Sequence, residues 1–383
     1  MFSTPKDFCQ RELKEFIGHK DEVNCVSYSP DFQLMVTGSD DQRVRAFSVK
    51  TKQCIVRLKG HEGAIKSVAV SECSKYIASG SFDKTARIWK TANGECIHVL
   101  KGHAKSVESV AFSPGAIYCC TGSWDRTAKL WCIQTGKCLK TFRGHGSLVQ
   151  SVGFSQDCHL LASGSWDFTV RVWNLDHKAY QKIRSDLMAA QHKVDSAQTD
   201  LNSDPQGRSV SSFQSNFENE YVLEQEEKNV LSDHEMLIEV HDIVKVLLGH
   251  SGNVHAISFS RIGMLASGSW DRTIRLWNPR KGNCLRILEG HIGWVQAVSF
   301  SPDSTFVASA ADDDFVKVWD ILTGVCVNTL EGNTDLAQFC AFTPDGLLIA
   351  SGAAVSTSQK LPKKREGEDA KTMEGKILDI LNQ

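Results

Sequence analysis

Serine, histidine and aspartate recur in this sequence as a set that could perform nucleophilic catalysis. One copy consists of His145, Ser163 and Asp167, and Trp173 follows six residues after the aspartate. In a hydrolase, the histidine takes the proton of the serine hydroxyl, the aspartate orients the histidine, and an oxyanion hole completes the site. The same set occurs six times along the chain. Six equivalent catalytic centres in one domain make no catalytic sense, so the repetition favours a buried structural hydrogen-bond network.

The copies are regularly spaced. Gly-His recurs in steps of 42, 42, 42, 105 and 41 residues, an aspartate follows each histidine after 21 or 22 residues, and an aromatic residue follows each aspartate after six. The first copy has Phe47 at the aromatic position, and the sixth has Trp319. The structural tetrads predicted for the four copies between them are His61, Ser79, Asp83, Trp89; His103, Thr121, Asp125, Trp131; His145, Ser163, Asp167, Trp173; and His250, Ser267, Asp271, Trp277.

Short strands must position these side chains. Residues 144–174 contain three apolar or β-branched runs bounded by Gly, Ser or Asp, which is typical of strands and turns. A sheet of three or four strands cannot bury its own apolar face in water. The copies must therefore pack on one another, and a period near 42 residues is typical of a β-propeller with four strands per blade.

The repeats resemble the WD-repeat family from about residue 12 to about residue 354, apart from one insertion. The family's Trp-Asp ending of a third strand occurs at Trp319-Asp320, and Trp173-Asn174 and Trp277-Asn278 are near matches. The resemblance implies that each aspartate orients the histidine of its turn, that the histidine bonds the Ser or Thr, and that the tryptophan packs alongside. A seventh copy begins at Gly332-Asn333, 42 residues after His291. We therefore expect an all-β, seven-bladed WD-repeat β-propeller.

The two ends of the chain are predicted to complete the last blade. Residues 12–19, ELKEFIGH, resemble residues 138–145, CLKTFRGH, which precede a new repeat. The N-terminal strand should therefore close the last blade and leave no open edge. The seventh copy is itself degenerate, because Asn333 replaces the histidine and Leu361 stands at the tryptophan position.

A long insertion interrupts the fourth copy. Trp173 and His250 are 77 residues apart, where other copies need 14. The insertion, residues 177–242, is predicted to be acidic and partly helical, with a coiled-coil-like seam. It is a helix along the propeller's own side, a segment kept by a splice variant, or a partner-binding helix. The residues of the seam are Tyr180, Ile183, Leu187, Ala190, Val194, Ala197 and Leu201.

The remaining boundaries follow from composition. We predict a flexible arm at residues 1–10, the propeller at 11–361, and a charged tail at 362–383. Residues 360–365, KLPKKR, are a weak nuclear-import patch or simply a solvated charged run. The N-terminus has no apolar core of a signal peptide. These features predict a cytoplasmic or nuclear protein.

Composition excludes several classes of function. The net charge is −2, so no basic face favours nucleic acid, and no apolar run reaches the roughly 18 residues of a membrane span. Five of the 13 cysteines recur at one phase of the repeat and therefore indicate buried thiols, not a disulfide framework. No C-x-x-C pair, other metal-ligand spacing or phosphate-binding loop occurs, so we expect no metal and no cofactor.

The variable positions of the repeat predict a binding surface. The residue before each structural aspartate lies in the turn between the second and third strands, which in the family opens on the top face. Exposed apolar clusters mark interaction sites, and tryptophan is enriched in binding hot spots; the alternative is that each tryptophan merely covers its own turn. The predicted aromatic and apolar arc consists of Phe82, Trp124, Leu148, Trp166, Trp270 and Trp294. The predicted polar rim consists of Glu22, Asn24, Lys66, Glu108, Gln150, His255 and Gln296.

Together these features predict a monomeric, non-enzymatic scaffold that binds a protein or peptide segment on the top face. The insertion should leave from the opposite face and offer a second docking surface. The alternative is a substrate receptor of a cullin-type ubiquitin ligase. Trp277-Asn278-Pro279-Arg280 approaches the W-D-x-R ending of such adaptors, although Asn replaces Asp.

Overall fold

The computed structural model describes residues 18–175, 185, 245–331, 337–342 and 348–352. These residues form six four-stranded antiparallel sheets, the blades, and one two-stranded sheet. Within each blade the strands are hydrogen-bonded in chain order, so each connection joins neighbouring strands. A single 3-10 turn, Pro114–Ala116, precedes the second strand of blade three.

Strands of five or six residues predominate. Blade one comprises β1 (Val23–Tyr28), β2 (Leu34–Ser39), β3 (Val44–Ser48) and β4 (Cys54–Leu58). Blade two comprises β5 (Ile65–Val70), β6 (Tyr76–Ser81), β7 (Ala86–Lys90) and β8 (Cys96–Leu100). Blade three comprises β9 (Val107–Phe112), β10 (Tyr118–Ser123), β11 (Ala128–Cys132) and β12 (Cys138–Phe142). Blade four comprises β13 (Val149–Phe154), β14 (Leu160–Ser165), β15 (Val170–Asn174) and β16 (Lys245–Leu247).

The last sheets follow the insertion. Blade five comprises β17 (Val254–Phe259), β18 (Leu265–Ser269), β19 (Ile274–Asn278) and β20 (Asn283–Leu288). Blade six comprises β21 (Val295–Phe300), β22 (Phe306–Ala311), β23 (Phe315–Asp320) and β24 (Cys326–Glu331). The two-stranded sheet comprises β25 (Ala337–Phe342) and β26 (Leu348–Gly352).

The prediction of seven blades is wrong, because the described residues form six four-stranded blades. The two-stranded sheet packs against blade six, and β25 also contacts β1. The physical reason lies in the degenerate copy, in which Asn333 and Leu361 replace the histidine and tryptophan that fix a blade's turns. The predicted N-terminal closing strand, the arm at 1–10 and the tail at 362–383 lie outside the described residues.

The hydrophobic core lies mainly between blades, although one cluster lies within blade one. One cluster joins Val170, Val172 and Leu247 of blade four to Val254 and Trp277 of blade five. Equivalent clusters join the other neighbouring pairs, so each blade buries its apolar face on the next one. This stacking explains why a repeat that is too small to fold alone is stable in a series.

The insertion does not separate blades four and five. The amide of Ile257 donates a hydrogen bond of 3.1 Å to Ser151 Oγ across the pair of blades. The same bond joins Val110 to Ser67 and Val152 to Ser109 where no insertion intervenes. The chain leaves β15 and returns at β16, at the end of the blade opposite to the turn between β14 and β15. The predicted helical seam lies outside the described residues.

The tetrad of blade four joins three segments by hydrogen bonds. His145 Nδ1 lies 2.8 Å from Asp167 Oδ2, and His145 Nε2 lies 2.7 Å from Ser163 Oγ. Trp173 Nε1 donates to the same Oγ over 2.9 Å. Since a carboxylate only accepts, Nδ1 carries the proton and Nε2 accepts from the serine hydroxyl. The donation therefore runs from tryptophan through serine and histidine to aspartate.

The same network recurs in the other blades. The Nδ1–Oδ2 distance is 2.7 Å at His61, His103 and His250 and 2.9 Å at His291. In blade one the aromatic residue is Phe47, which has no N–H group to donate. Arg45 Nη2 lies 3.5 Å from Asp41 Oδ2 in this blade. In blade four, Gly144 is required before the histidine, because its φ is +143° and a Cβ there would lie 2.5 Å from Arg171 Nη1.

A fifth member of the network is a threonine that the sequence analysis did not single out. Thr169 Oγ1 donates to Asp167 Oδ1 over 2.6 Å, and Thr85, Thr127 and Thr273 do the same in blades two, three and five. The signal was available, since each of these threonines follows its aspartate by two residues. Blades one and six have Arg43 and Phe315 at this position.

The network keeps the aspartates ionised. Burial alone would raise the pKa of Asp167, but the hydrogen bonds from His145 and Thr169 outweigh burial and hold this pKa far below its usual range. The pKa values of Asp41, Asp83, Asp125 and Asp271 are lowered by the same balance, with the histidine as the main donor. A carboxylate held in this way accepts from the turn backbone as well, as Asp167 does from Gly146 N over 2.8 Å.

The close approach of blades predicts the effect of a methyl group at Gly164. A Cβ there would lie 2.8 Å from Val254 Cγ1, whereas a Cβ at Gly153 would lie 3.8 Å from Phe259. We expect Gly164→Ala to lower the free energy of unfolding by about 1–3 kcal/mol through overpacking, and Gly153→Ala to change it little. Urea unfolding of both variants measures this difference. Equal effects would show that the contact between blades is not tightly packed at this point.

The threonine of the network predicts a pH-dependent loss of stability. Thr169→Val removes one donor to Asp167, so we expect unfolding at neutral pH to become easier by about 1–2 kcal/mol. A lowered carboxylate pKa stabilises the fold above the unfolded value of about 4, and this stability is lost as the pH falls below it. The melting temperature of the variant should therefore fall less steeply than that of the intact protein between about pH 5 and pH 3.

Thr51→Val is the matched control, since its side chain is exposed in a turn of blade one. It should leave both the melting temperature and its pH dependence unchanged. If Thr51→Val and Thr169→Val have the same effect, the threonine does not act through the aspartate.

Candidate functional site

The tetrads have the connectivity of a catalytic triad but not its accessibility. Ser163 is 0% exposed, and its oxygen already accepts from Trp173 Nε1. A nucleophile must reach a substrate carbonyl next to an oxyanion hole, and a hydroxyl enclosed in this way cannot. The tetrads therefore have a structural role, and a binding site must be formed by other residues.

The predicted partner-binding residues lie at one end of the blades, here called the top face. The start of each first strand pairs with the end of the second strand, as Val149 does with Ser165. The turn that follows is bonded to the segment before the first strand, for example from Trp166 N to Leu148 O over 3.1 Å and from Trp270 N to Asn253 O over 3.0 Å. Both sets of variable positions therefore share this end of the propeller.

Three of the predicted aromatic residues are largely exposed. Phe82, Trp124 and Trp294 have 53%, 39% and 46% of their surface accessible. The other predicted residues of the top face are half-buried: Leu148, Trp166, Trp270, Glu22, Asn24, Lys66, Glu108, Gln150, His255 and Gln296.

The tryptophans of blades four to six form one stack. Trp270 lies between Trp166, with ring centroids 4.9 Å apart, and Trp294, with centroids 4.6 Å apart and planes at 13°. His255 lies parallel to Trp270 at 6.2 Å. We call these four residues the aromatic stack. The indole N–H groups of Trp166 and Trp270 are buried and have no acceptor among the described residues.

Phe82 and Trp124 form a second, separate contact, edge to face at 6.2 Å. The predicted continuous arc is therefore resolved into two groups among the described residues. Leu148 is joined to the stack by its backbone carbonyl, which accepts a hydrogen bond from Trp166 N. The sequence could not show this division, because the spacing of the repeat places each residue on its own turn and does not specify contacts between turns.

The polar residues on blades one to three are paired. Asp40 accepts from Asn24 Nδ2 over 2.6 Å and from Lys66 Nζ over 3.2 Å. Ser106 donates to Glu108, and burial raises the pKa of Glu108 despite that bond and the nearby Lys66. This part of the top face is therefore charged and largely self-satisfied.

The polar residues next to the aromatic stack are arranged differently. Gln296 Nε2 donates to Asp312 Oδ2 over 2.8 Å, and Gln296 O accepts from His255 Nδ1 over 2.9 Å. Burial lowers the pKa of His255, with smaller opposing effects from Gln296 and Asp312. The imidazole is consequently neutral at neutral pH and donates through Nδ1.

Two other features are absent from the described part of the chain. It contains no group of three or more His, Cys, Asp or Glu residues that could hold a metal ion. It also contains no helix with the length and apolar character needed to cross a membrane.

Comparison with known proteins gives several relatives over short segments. The chain is 37% identical over 78 residues to nuclear distribution protein PAC1 of Arthroderma benhamiae, which is 18% of this chain and 17% of that protein. It is 44% identical over 64 residues to small ribosomal subunit protein RACK1y of Oryza sativa subsp. japonica, which is 16% of this chain and 19% of that protein. It is 36% identical over 87 residues to cell division control protein 4 of Saccharomyces cerevisiae, which is 21% of this chain and 10% of that protein.

Each match therefore spans less than a fifth of the relative's own length. The WD40 family description (WD domain, G-beta repeat) matches six segments: residues 10–48, 52–90, 94–132, 136–174, 241–278 and 282–320. Each segment contains the first three strands of one blade, and from the second segment onward it also contains the fourth strand of the preceding blade. Together the six segments cover more than half of the chain. Propellers of this family generally bind proteins and lack catalytic activity, and this chain belongs to the WD40-repeat family.

Proposed function

We propose that this protein is a non-enzymatic interaction scaffold that captures a protein or peptide segment on its top face. The observation that carries the proposal is the exposure of Phe82, Trp124 and Trp294 on turns that the histidine–aspartate bonds hold in place. Rigid aromatic side chains in partly desolvated surroundings are the usual anchors of binding hot spots. Their fixed position lowers the entropy lost on binding.

The aromatic stack supports the same proposal through its geometry. Indole rings from blades four to six lie against one another and form one surface, and Trp294 at its end is still 46% exposed. Such a preformed aromatic surface is typical of binding hot spots. Covering a turn would not require tryptophan at three successive blades.

The chain leaves β15 and re-enters at β16 at the bottom face, so both attachment points of the insertion lie away from the top face. The alternative function, a substrate receptor of a cullin-type ubiquitin ligase, rests on Arg280. Its guanidinium forms an ion pair with Asp157 of blade four, and its backbone carbonyl accepts from Lys245. No observation favours the alternative, because Arg280 ties blade five to the base of the insertion.

The proposal predicts which partners depend on the top face. We expect a Trp124→Ala/Trp294→Ala variant to lose partners that the intact protein retains in a pull-down from cell extract, with losses of about tenfold or more. Both side chains lie on the surface, outside the clusters between blades, so the variant should stay folded, with a melting temperature lowered only by the loss of their ring contacts. Quantitative mass spectrometry of the bound fractions measures the loss.

The control is Leu322→Ala/Val325→Ala, which truncates two apolar residues that are more exposed than the tryptophans and lie on the bottom face of blade six. This control should retain every partner that the tryptophan variant loses. If the tryptophan variant keeps all partners, the top-face aromatic residues only pack on their turns and the proposal is wrong.

A further inference from the structure

We propose that the aromatic stack and Asp312 together bind a cationic side chain, arginine or lysine, of the captured peptide. This inference rests on the proposed function and specifies the chemistry of the partner at blades four to six. It concerns one part of the top face, because in blade one the equivalent carboxylate, that of Asp40, is already paired with Lys66.

Trp294 supplies a rigid surface for the cation. One side of its ring is stacked on Trp270 at 4.6 Å, and 46% of its surface is still accessible. Indole is the aromatic group that attracts a cation most strongly, because its π-system is negative above the ring plane. A ring that is already held by its neighbour loses little freedom when a ligand packs on it.

Asp312 supplies the opposite charge beside this ring. Its backbone N–H donates to Trp294 O over 3.0 Å, which places it on the turn adjacent to the tryptophan. Gln296 orients its carboxylate, and no cationic side chain pairs with it among the described residues. Asp40 occupies the same turn position in blade one, where Lys66 neutralises it at 3.2 Å. The carboxylate of blade six therefore lacks the counter-charge that its equivalent has.

The other charges near the stack agree with this assignment. His255 is uncharged at neutral pH, so the stack itself holds no competing cation. Asp313 is engaged by His291, and Asp314 is exposed two residues beyond Asp312. Arg272 is also exposed, on the turn of blade five. The proposed site therefore depends on local placement, not on net charge: Asp312 lies on the turn next to the open indole of Trp294 and has no cationic partner among the described residues.

The test uses two short degenerate peptide libraries that differ only in one fixed central residue, arginine or its neutral analogue citrulline. We expect the intact protein to bind the arginine library about fivefold more tightly than the citrulline library. The ratio should fall as salt is added, because the groups are partly exposed. Fluorescence anisotropy of labelled libraries measures both affinities, and a glutamate library tests for the opposite preference.

Two variants assign the preference to this site. Asp312→Asn keeps an oxygen that can accept from Gln296, and it should reduce the ratio to about two or less. Glu289→Gln removes the same charge from an exposed position on blade five and should leave the ratio unchanged. Equal binding of the arginine and citrulline libraries, failure of both to bind, a preference for glutamate, or an unchanged ratio in Asp312→Asn would each overturn the inference.

The outcomes also separate this inference from the proposed function. Loss of partners from Trp124→Ala/Trp294→Ala without any preference for arginine would retain the scaffold role and reject the cationic ligand. Retention of all partners by that variant would reject both.

Discussion

The hydrogen bond between histidine and aspartate determines how each blade presents its top face. In blade four it connects the segment before the first strand, which carries His145, to the turn after the second strand, which carries Asp167. Since the residue immediately before that aspartate is Trp166, the bond that closes the turn also places the tryptophan. The serine and the inner tryptophan then tie this pair to the middle strands. Without the carboxylate, the histidine and several turn amides would lose their acceptor, at a cost of about 1–3 kcal/mol for each buried group.

The propeller itself is held together by contacts of a different kind. Most of its apolar clusters combine residues of two neighbouring blades, and second-strand glycines such as Gly164 allow the next inner strand to approach closely. The serine bonds between inner strands, including the one from Ile257 to Ser151, continue across the insertion. The insertion can be long because a loop's closure entropy grows only with the logarithm of its length. The polar networks therefore shape single blades, whereas the apolar contacts assemble them.

Repetition made much of this structure predictable. The recurrence of Gly-His, Asp and Trp at fixed intervals specified the strands, the tetrads and the shared end of the blades at which Trp166 and Trp270 lie. The same reliance on repetition produced the wrong number of blades, because spacing alone counted a copy at Asn333 that lacks the groups able to fix its turns. Thr169 was predictable in principle, since it recurs two residues after the aspartate, but a hydroxyl in a turn gives a weak signal beside a tryptophan. The stacking of His255, Trp270 and Trp294 was not predictable, since it depends on the distance between turns of different blades.

The top face is asymmetric, and this asymmetry constrains what it can bind. Blades one to three present Asp40, Lys66 and Glu108, whose charges largely satisfy one another. Blades four to six present a stack of indole rings beside the carboxylate of Asp312, which has no cationic partner among the described residues. A ligand that lay across the centre would meet exposed aromatic side chains on both sides, Phe82 and Trp124 on one and Trp294 on the other, so the two sides differ in charge more than in apolar contact. The direction in which a peptide lies across the propeller would then be set by the position of its cationic side chain, and the polar residues of blades one to three would reject side chains that cannot replace their lost hydration.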